Sequence, residues 1–314
     1  MCYICIDGCR FVKLHRRLFS RKIPGATLSK EGALSNRKPW LEKLRTRMIV
    51  RPIQTDARTL QDNPHRRPLG KDVNWIFNHA IGGGQANFDA PIADLTSQDR
   101  VMLYAYLNQK AHVDELIHAF NQLLTNSKFP NNATIIDIGC GPFTAGLALA
   151  NVVGDSVPYR YFGVDHSVSM CKLGSILADA VTTERQFHPK TEIVFHQHID
   201  GINFGEVKGS EIIIFVLSYL LASDSVDIEE LAQQIKTARD KVGFGAAVLL
   251  YTNTGRERAR IRYPDFRKSL TAVGFIEQTE KVEVFKESDK DRLLHYALFI
   301  SPAISTVDTK GFFG

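Results

Sequence analysis

From Ala133 to Ser301 short runs of β-branched and aromatic residues alternate with segments of helical pattern, and this rhythm restricts the fold more than any other feature of the 314 residues. In order, the strand candidates are ATIIDIG, YRYFGVD, TEIVFHQ, SEIIIFVLS, GAAVLLYT, FIEQTEKVEVF and RLLHYALFIS, and helix candidates begin near Phe143, Ser167, Ile228 and Pro264. Such alternation predicts a parallel sheet covered by helices on both faces. Only KESDKD, Lys286 to Asp291, separates the last two runs, too little for a crossover helix, so they should pair as an antiparallel hairpin. The expected class is α/β, a doubly wound, seven-stranded, mostly parallel sheet closed by an antiparallel C-terminal hairpin.

Upstream, Asn78 to Leu124 carries a triple glycine, Gly82 to Gly84, that suits a flexible loop or lid. Thr96 or Ser97 can cap a following helix with Val101, Leu103, Tyr104 and Leu107 near helical spacing. A second amphipathic helix presents Val113, Leu116, Ile117, Phe120, Leu123 and Leu124. The pair reads as a helical cap on the sheet domain.

Charge is distributed unevenly. Through Lys71 there are 17 Lys and Arg against 5 Asp and Glu, whereas the remainder holds 22 basic and 29 acidic residues. The leader shows no sustained apolar period, so a poorly ordered basic arm is expected, either a solubilising tail or a segment able to hold RNA through its phosphates. Met48 is an alternative initiator. Five cysteines, an odd number, do not suggest a disulfide framework. Cys2, Cys5 and Cys9 lack a fourth ligand unless His15 serves, so the leader reading is preferred to a metal site, and no metal is expected. The start is a poor secretory signal and no apolar run reaches membrane-spanning length, so the expectations are a cytoplasmic address and no membrane partner.

The chemistry centres on TIIDIGCGPFTAGLALA, Thr134 to Ala150. A strand that ends in Asp137-Ile138-Gly139-Cys140-Gly141 and turns into a helix leaves backbone N–H groups and a Cβ-free surface at the carboxyl edge of the sheet, where doubly wound folds bind ligands. Gly146 is followed by Leu147-Ala148 instead of Lys-Ser/Thr, which excludes a P-loop. Thr144 stands where a dinucleotide fingerprint has glycine, which weakens that reading without removing it.

The stretch Asp137-Ile138-Gly139-Cys140-Gly141-Pro142 resembles motif I of the class I S-adenosylmethionine-dependent methyltransferases, whose sheet also ends in an antiparallel hairpin. The resemblance spans Ala133 to Ser301 and implies a Rossmann-like methyltransferase fold with S-adenosyl-L-methionine as cofactor. One departure is Phe143, where the family often has a third glycine. By the same resemblance, Asp137, Gly139, Cys140 and Gly141 would cradle the cofactor, Asp165 would accept from the ribose hydroxyls, His166 and Ser167 would flank the adenine, and Asp200 would accept from its amine. A carboxylate suits the ribose because it only accepts and can hold two hydroxyls. Ser218 and Tyr219, after the fourth strand, would line the acceptor pocket as catalytic-site residues; the family's N-P-P-[FY] motif is absent. GCGPFT and SYLLAS also bear a faint likeness to the methyltransferase-like proteins of small-ribosomal-subunit assembly, whose later cysteine cluster is missing.

Arg256, Arg258, Arg260 and Arg262 alternate after the fifth strand and could present planar forks to phosphate, or form a solvated helix end. The domains expected are a basic arm at 1–71, a helical cap with lid at 72–130, a catalytic domain at 131–303 and a tail at 304–314. The expected function is methyl transfer to RNA, rRNA included, or to a phosphate-bearing substrate. The alternatives are a small-metabolite methyltransferase closed by the glycine lid, and a non-catalytic cofactor-binding sensor or assembly scaffold. A nicotinamide-dependent oxidoreductase is disfavoured by the C-terminal hairpin.

Overall fold

The computed structural model describes residues 4–5, 11–12, 36–125, 128–206, 212–286 and 288–303. The seven strand candidates form one sheet: β1 (Ala133–Ile138), β2 (Tyr159–Val164), β3 (Glu192–His196), β4 (Ile213–Ser218), β5 (Ala247–Thr254), β6 (Ile276–Phe285) and β7 (Arg292–Ser301), in the order β3-β2-β1-β4-β5-β7-β6. β1 to β5 are parallel, and β7 lies antiparallel between β5 and β6. After β1 the chain adds strands on one side, then returns to place β4 on the other. The crevice at that reversal, outside the carboxyl ends of β1 and β4, is where doubly wound sheets take ligands.

Alternation along the strands sends side chains to two cores. Ile135, Tyr161 and Val216 belong to the face covered by α6 (Lys110–Leu124), α7 (Thr144–Val152) and α8 (Val168–Thr183). Ile136, Phe162 and Leu217 belong to the face covered by α9 (Ile228–Val242) and α11 (Tyr263–Ala272). The central strand β1 is buried along its whole length, as expected of a strand covered on both faces. Between β3 and β4 the described chain carries no helix; Ile199, Ile202 and Phe204 pack directly on the second face instead.

The segment expected to be a poorly ordered arm is helical over much of its second half. α1 (Pro39–Arg45) runs through a π-helical turn, Thr46–Val50, into α2 (Arg51–Thr55), and α3 (Ala57–Gln61) follows. Leu41, Leu44, Ile49, Ile53 and Leu69 are all buried in the first core. The wider π turn inserts a residue between Leu44 and Ile49, so the apolar positions fall out of a 3.6-residue period; this hides the helix from a periodicity search. Asn151 of α7 anchors the entrance, accepting from the Lys38 backbone at 2.6 Å and donating to the Asn36 carbonyl at 3.0 Å. The cysteines Cys2 and Cys9 and the tail 304–314 lie outside the described residues, as does the side chain of Cys5.

The cap helices also differ from expectation in one respect. Thr96 caps α5 (Ser97–Tyr104) in a reciprocal capping box with Asp99, and Arg58 of α3 binds the same Asp99 carboxylate at 2.8 Å. α5 does not stop before α6, because a second π turn, Ala105–Gln109, joins them end to end. α4 (Val73–Trp75) and its own π turn, Ile76–Ala80, precede the strap of residues 82–95.

Beneath the turn after β1 the packing is unusual. Phe143 sits at φ 67°, the left-handed region glycine favours, and its ring meets Tyr161, Phe195 and Phe187 edge to face at 5.1, 5.6 and 6.1 Å. The ring fills the space a side chain at position 146 would need: a Cβ there would lie 1.8 Å from a Phe143 ring atom. Gly146→Ala should therefore cost about 2–3 kcal/mol by overpacking, and Phe143→Gly about 3–5 kcal/mol by leaving a cavity. Denaturant unfolding should show the double variant less damaged than the sum of the two by more than about 1 kcal/mol; strict additivity would mean that the two positions do not share this space.

Candidate functional site

The turn from β1 into α7 is built from three residues of positive φ, Gly139 at 74°, Gly141 at 52° and Phe143. A Cβ on Gly139 would come within 2.9 Å of Leu220 Cδ1, so the chain after β4 closes directly on the turn. The N–H groups of Gly139 and Cys140 both donate to the Val164 carbonyl, which ties the turn to the end of β2. Asp165 completes the bracket: one carboxylate oxygen accepts from Gly141 N and the other from Ser167 N, each at 2.9 Å. Burial raises the Asp165 pKa against the pull of those two donors. Asp137 lies beneath, 1% exposed, accepting from the Tyr161 hydroxyl at 2.5 Å. Burial pushes its pKa up to about 7, with the Tyr161 hydrogen bond opposing and the Asp165 charge adding to the rise.

Thus Asp137, Gly139, Cys140, Gly141, Asp165, His166 and Ser167 come together at the carboxyl ends of β1 and β2. Ser167 is the N-cap of α8, accepting from Met170 N. His166 is exposed and faces His198, which follows β3, with ring centroids 5.2 Å apart. Cys140 is a buried free thiol; Cys171, half-buried on α8, is also free and donates to the Asp165 carbonyl at 3.3 Å.

Asp200 does not join this group. It is exposed, and its backbone carbonyl accepts from Lys241 in the last turn of α9; among the described residues no hydrogen bond ties its carboxylate to the residues of the turn. The arginines after β5 are also dispersed. α10 (Glu257–Arg260) winds the segment, so residues two apart, such as Arg258 and Arg260, project to different sides. Arg256 and Arg258 are exposed, Arg260 is half-buried, and Arg262 is spent on the carbonyls of Ser223 and Val226.

On the β4 side, Ser218 accepts from Thr252 at 3.0 Å and Tyr219 adopts φ 60°. Tyr219 meets residues of the cap helix α6. Its ring stacks on His112, centroids 4.0 Å apart and 19° between planes, and its hydroxyl donates to Glu115 Oε1 at 3.2 Å. Burial pushes Glu115 up to about 7, against the Tyr219 hydrogen bond, and holds His112 down at about 3. Tyr104 bridges the two halves of the site: its hydroxyl is 3.5 Å from His112 Nδ1, and its ring lies 3.9 Å from where a Gly141 Cβ would be. Gln109, in the π turn, donates to the Pro142 carbonyl at 2.7 Å.

The strap 82–95 crosses above. Its Asp89 accepts from Ser167 Oγ, Val168 N and Ser169 N at 2.8–3.0 Å, capping α8 from outside, while Gln85 donates to the Ala222 carbonyl past β4. Burial raises the Asp89 pKa, but these donors outweigh it and hold the carboxylate below its ordinary value. The sequence reading missed Asp89, Tyr104, Gln109, His112 and Glu115. For the last two a signal exists: polar residues three apart on a helix face otherwise made of Val113, Leu116, Ile117 and Phe120.

No family model and no curated protein matches the chain. Solved structures of similar fold include an S-adenosylmethionine-dependent methyltransferase from Methanosarcina mazei, 17% identical, covering 56% of this chain and 95% of that one with a TM-score of 0.40. A TehB-like S-adenosylmethionine-dependent methyltransferase from Corynebacterium glutamicum is 15% identical, covering 60% and 88% with a TM-score of 0.38. Magnesium protoporphyrin IX methyltransferase from Synechocystis, solved with bound S-adenosylmethionine, is 14% identical, covering 79% and 100% with a TM-score of 0.39.

The buried carboxyl beneath the turn has a thermodynamic signature. Asp137 has a folded pKa near 7 against an ordinary 3.8, so its contribution to stability is full below about pH 4 and is lost as pH rises through 7. The ligand-free protein should melt a few degrees lower at pH 8 than at pH 5, and Asp137→Asn should reduce that slope, Glu115 carrying part of the remainder. An unchanged slope in the variant would place the titration elsewhere.

Proposed function

We propose that this chain is an S-adenosylmethionine-dependent methyltransferase acting on a small molecule. The observation that carries the reading is the sign of the charge around the turn. Asp165 and Asp137 stand close enough that each ionisation opposes the other, and they flank backbone that a ligand can approach closely. A dinucleotide would bring its pyrophosphate against these carboxyls, a like-charge contact, whereas a sulfonium is a cation that they attract.

The residues fit the cofactor. Asp165 has the acceptor-only chemistry required for two ribose hydroxyls, and Gly141, whose missing Cβ would meet nothing nearer than Tyr104 at 3.9 Å, supplies positive φ and backbone that a ligand can approach. His166 and His198 offer flat faces beyond it for an adenine. Bound there, the cofactor supplies an electrophilic methyl group on a sulfonium, and the protein's task is chiefly to orient the acceptor and exclude water.

The strap favours a small acceptor over RNA. Held by Asp89 at α8 and by Gln85 past β4, with Tyr104 beneath it, it sets a carboxylate and an amide beside the site, and of the arginines after β5 Arg262 is spent on carbonyls while Arg258 and Arg260 project to different sides. Two free thiols among the described residues fit a reducing compartment, and we assign the protein to the cytoplasm. No helix among the described residues is long and apolar enough to cross a membrane.

Calorimetric titration with S-adenosylmethionine and S-adenosylhomocysteine tests the cofactor. Both should bind the intact protein, and Asp165→Ala should weaken each at least about tenfold, the loss of a charge-assisted hydrogen-bond pair. Binding of NADH in place of both would overturn the reading.

A further inference from the structure

We propose that Glu115 binds the hydroxyl of a phenol-type acceptor and takes its proton as the methyl group is transferred. The inference rests on the methyltransferase reading and names the acceptor class for the same site.

Glu115 is 1% exposed, and its Oε2 is buried without a hydrogen-bond partner, while Oε1 is engaged by Tyr219. A buried carboxylate oxygen left unmatched costs about 1–3 kcal/mol or more, so a site that retains one has a use for it. The residue is connected to the glycine turn through aromatic contacts: Tyr104 lies over Gly141 and reaches His112, and His112 stacks on Tyr219, which holds Glu115. Tyr104, His112 and Tyr219 are each half-buried, so their rings leave a partly open apolar face on which an aromatic acceptor can lie.

Charge narrows the class. Around Glu115 stand Asp114 and His112 on its own helix, Tyr219 after β4, Tyr104 on α5, and Arg292 at the start of β7, whose charge is felt by Glu115, His112 and Tyr219. Arg292 Nε is itself buried without a partner. A protonated amine would meet the guanidinium, and a carboxylate acceptor would meet Glu115. A neutral hydroxyl suffers neither repulsion, and the oxyanion character it gains on losing its proton is stabilised by Arg292. His112 is the rival base, but burial penalises its protonated form heavily, whereas Glu115 titrates near working pH.

In the step, the acceptor O–H bond breaks and its proton passes to Glu115 Oε2. The acceptor oxygen forms the new bond to the methyl carbon, and the methyl–sulfur bond breaks with its electron pair remaining on sulfur, leaving a neutral thioether. Positioned base catalysis of this kind contributes about 10²–10⁴ in rate.

The test uses 4-nitrophenol and p-cresol with the full chain. Binding of 4-nitrophenol to protein saturated with S-adenosylhomocysteine is followed by calorimetry and by its phenolate absorption, and transfer from S-adenosylmethionine is followed against pH. The wild type should bind and methylate both phenols, and with p-cresol, whose own hydroxyl ionises well above this range, the rate should rise with pH through about 7; the pH profile is therefore read on p-cresol and the phenolate absorption on 4-nitrophenol. Glu115→Gln should retain S-adenosylhomocysteine, lose 4-nitrophenol affinity at least tenfold, and lose transfer about 100-fold together with the pH limb. Tyr219→Phe keeps the ring stack but removes the hydrogen bond that lowers Glu115, so its limb should move to higher pH; this variant decides the matter if Glu115→Gln does not fold. Cofactor binding without phenol binding or transfer, or a pH limb unchanged in both variants, would overturn the proposal. Absence of cofactor binding would instead overturn the methyltransferase reading on which it rests.

Discussion

The bracket formed by Asp165 across Gly141 N and Ser167 N is the contact on which the site depends. It joins the turn after β1 to the first turn of α8, and so fixes the two elements that flank the crevice between the halves of the sheet. Everything near it is adjusted to that closeness. Gly139 has no Cβ because Leu220 is there, and Gly146 has none because the Phe143 ring is there. Burial raises the pKa of both acidic groups, a cost that a cationic ligand would relieve.

The second half of the site is contributed from outside the sheet. The cap helix α6 brings His112 and Glu115 to Tyr219, and the strap brings Asp89 to α8. Two π turns make the geometry possible. The one at Ala105–Gln109 aims Gln109 at the Pro142 carbonyl without ending the helix, and the one at Thr46–Val50 keeps Leu41, Leu44, Ile49 and Ile53 on the core despite their irregular spacing. The N-terminal helices therefore belong to the same core as the sheet, and this half of the site is held by elements remote from it in sequence.

Much of this was legible in advance and some was not. The strands and the C-terminal hairpin followed from the alternation of runs and from the short KESDKD connection, whereas the order of the strands in the sheet came from the structure. Gly139 and Gly141, after Asp137 at the strand end, were visible because positive φ leaves a local trace in residue type, whereas Asp165 entered through the resemblance to the methyltransferases. Phe143 was visible only as a departure; the structure shows that it adopts the glycine conformation and passes the glycine requirement three residues on, to Gly146. The path after β3 was not legible, because nothing in the sequence indicates that the chain there packs Ile199, Ile202 and Phe204 on the sheet without a helix. The alternating arginines failed as a group because a single helical turn, α10, separates what an extended loop would have gathered.

The sequence by itself therefore determined the strands of the sheet and the glycine turn, since each depends on neighbours within a few residues or on strict periodicity. The tertiary structure decided that Glu115 is buried with an unmatched oxygen, that His112 is neutral and stacked, and that Asp89 caps a helix more than 75 residues away. Those properties arise from desolvation and from contacts between distant segments, and a carboxylate in a sequence carries no mark of whether water will reach it.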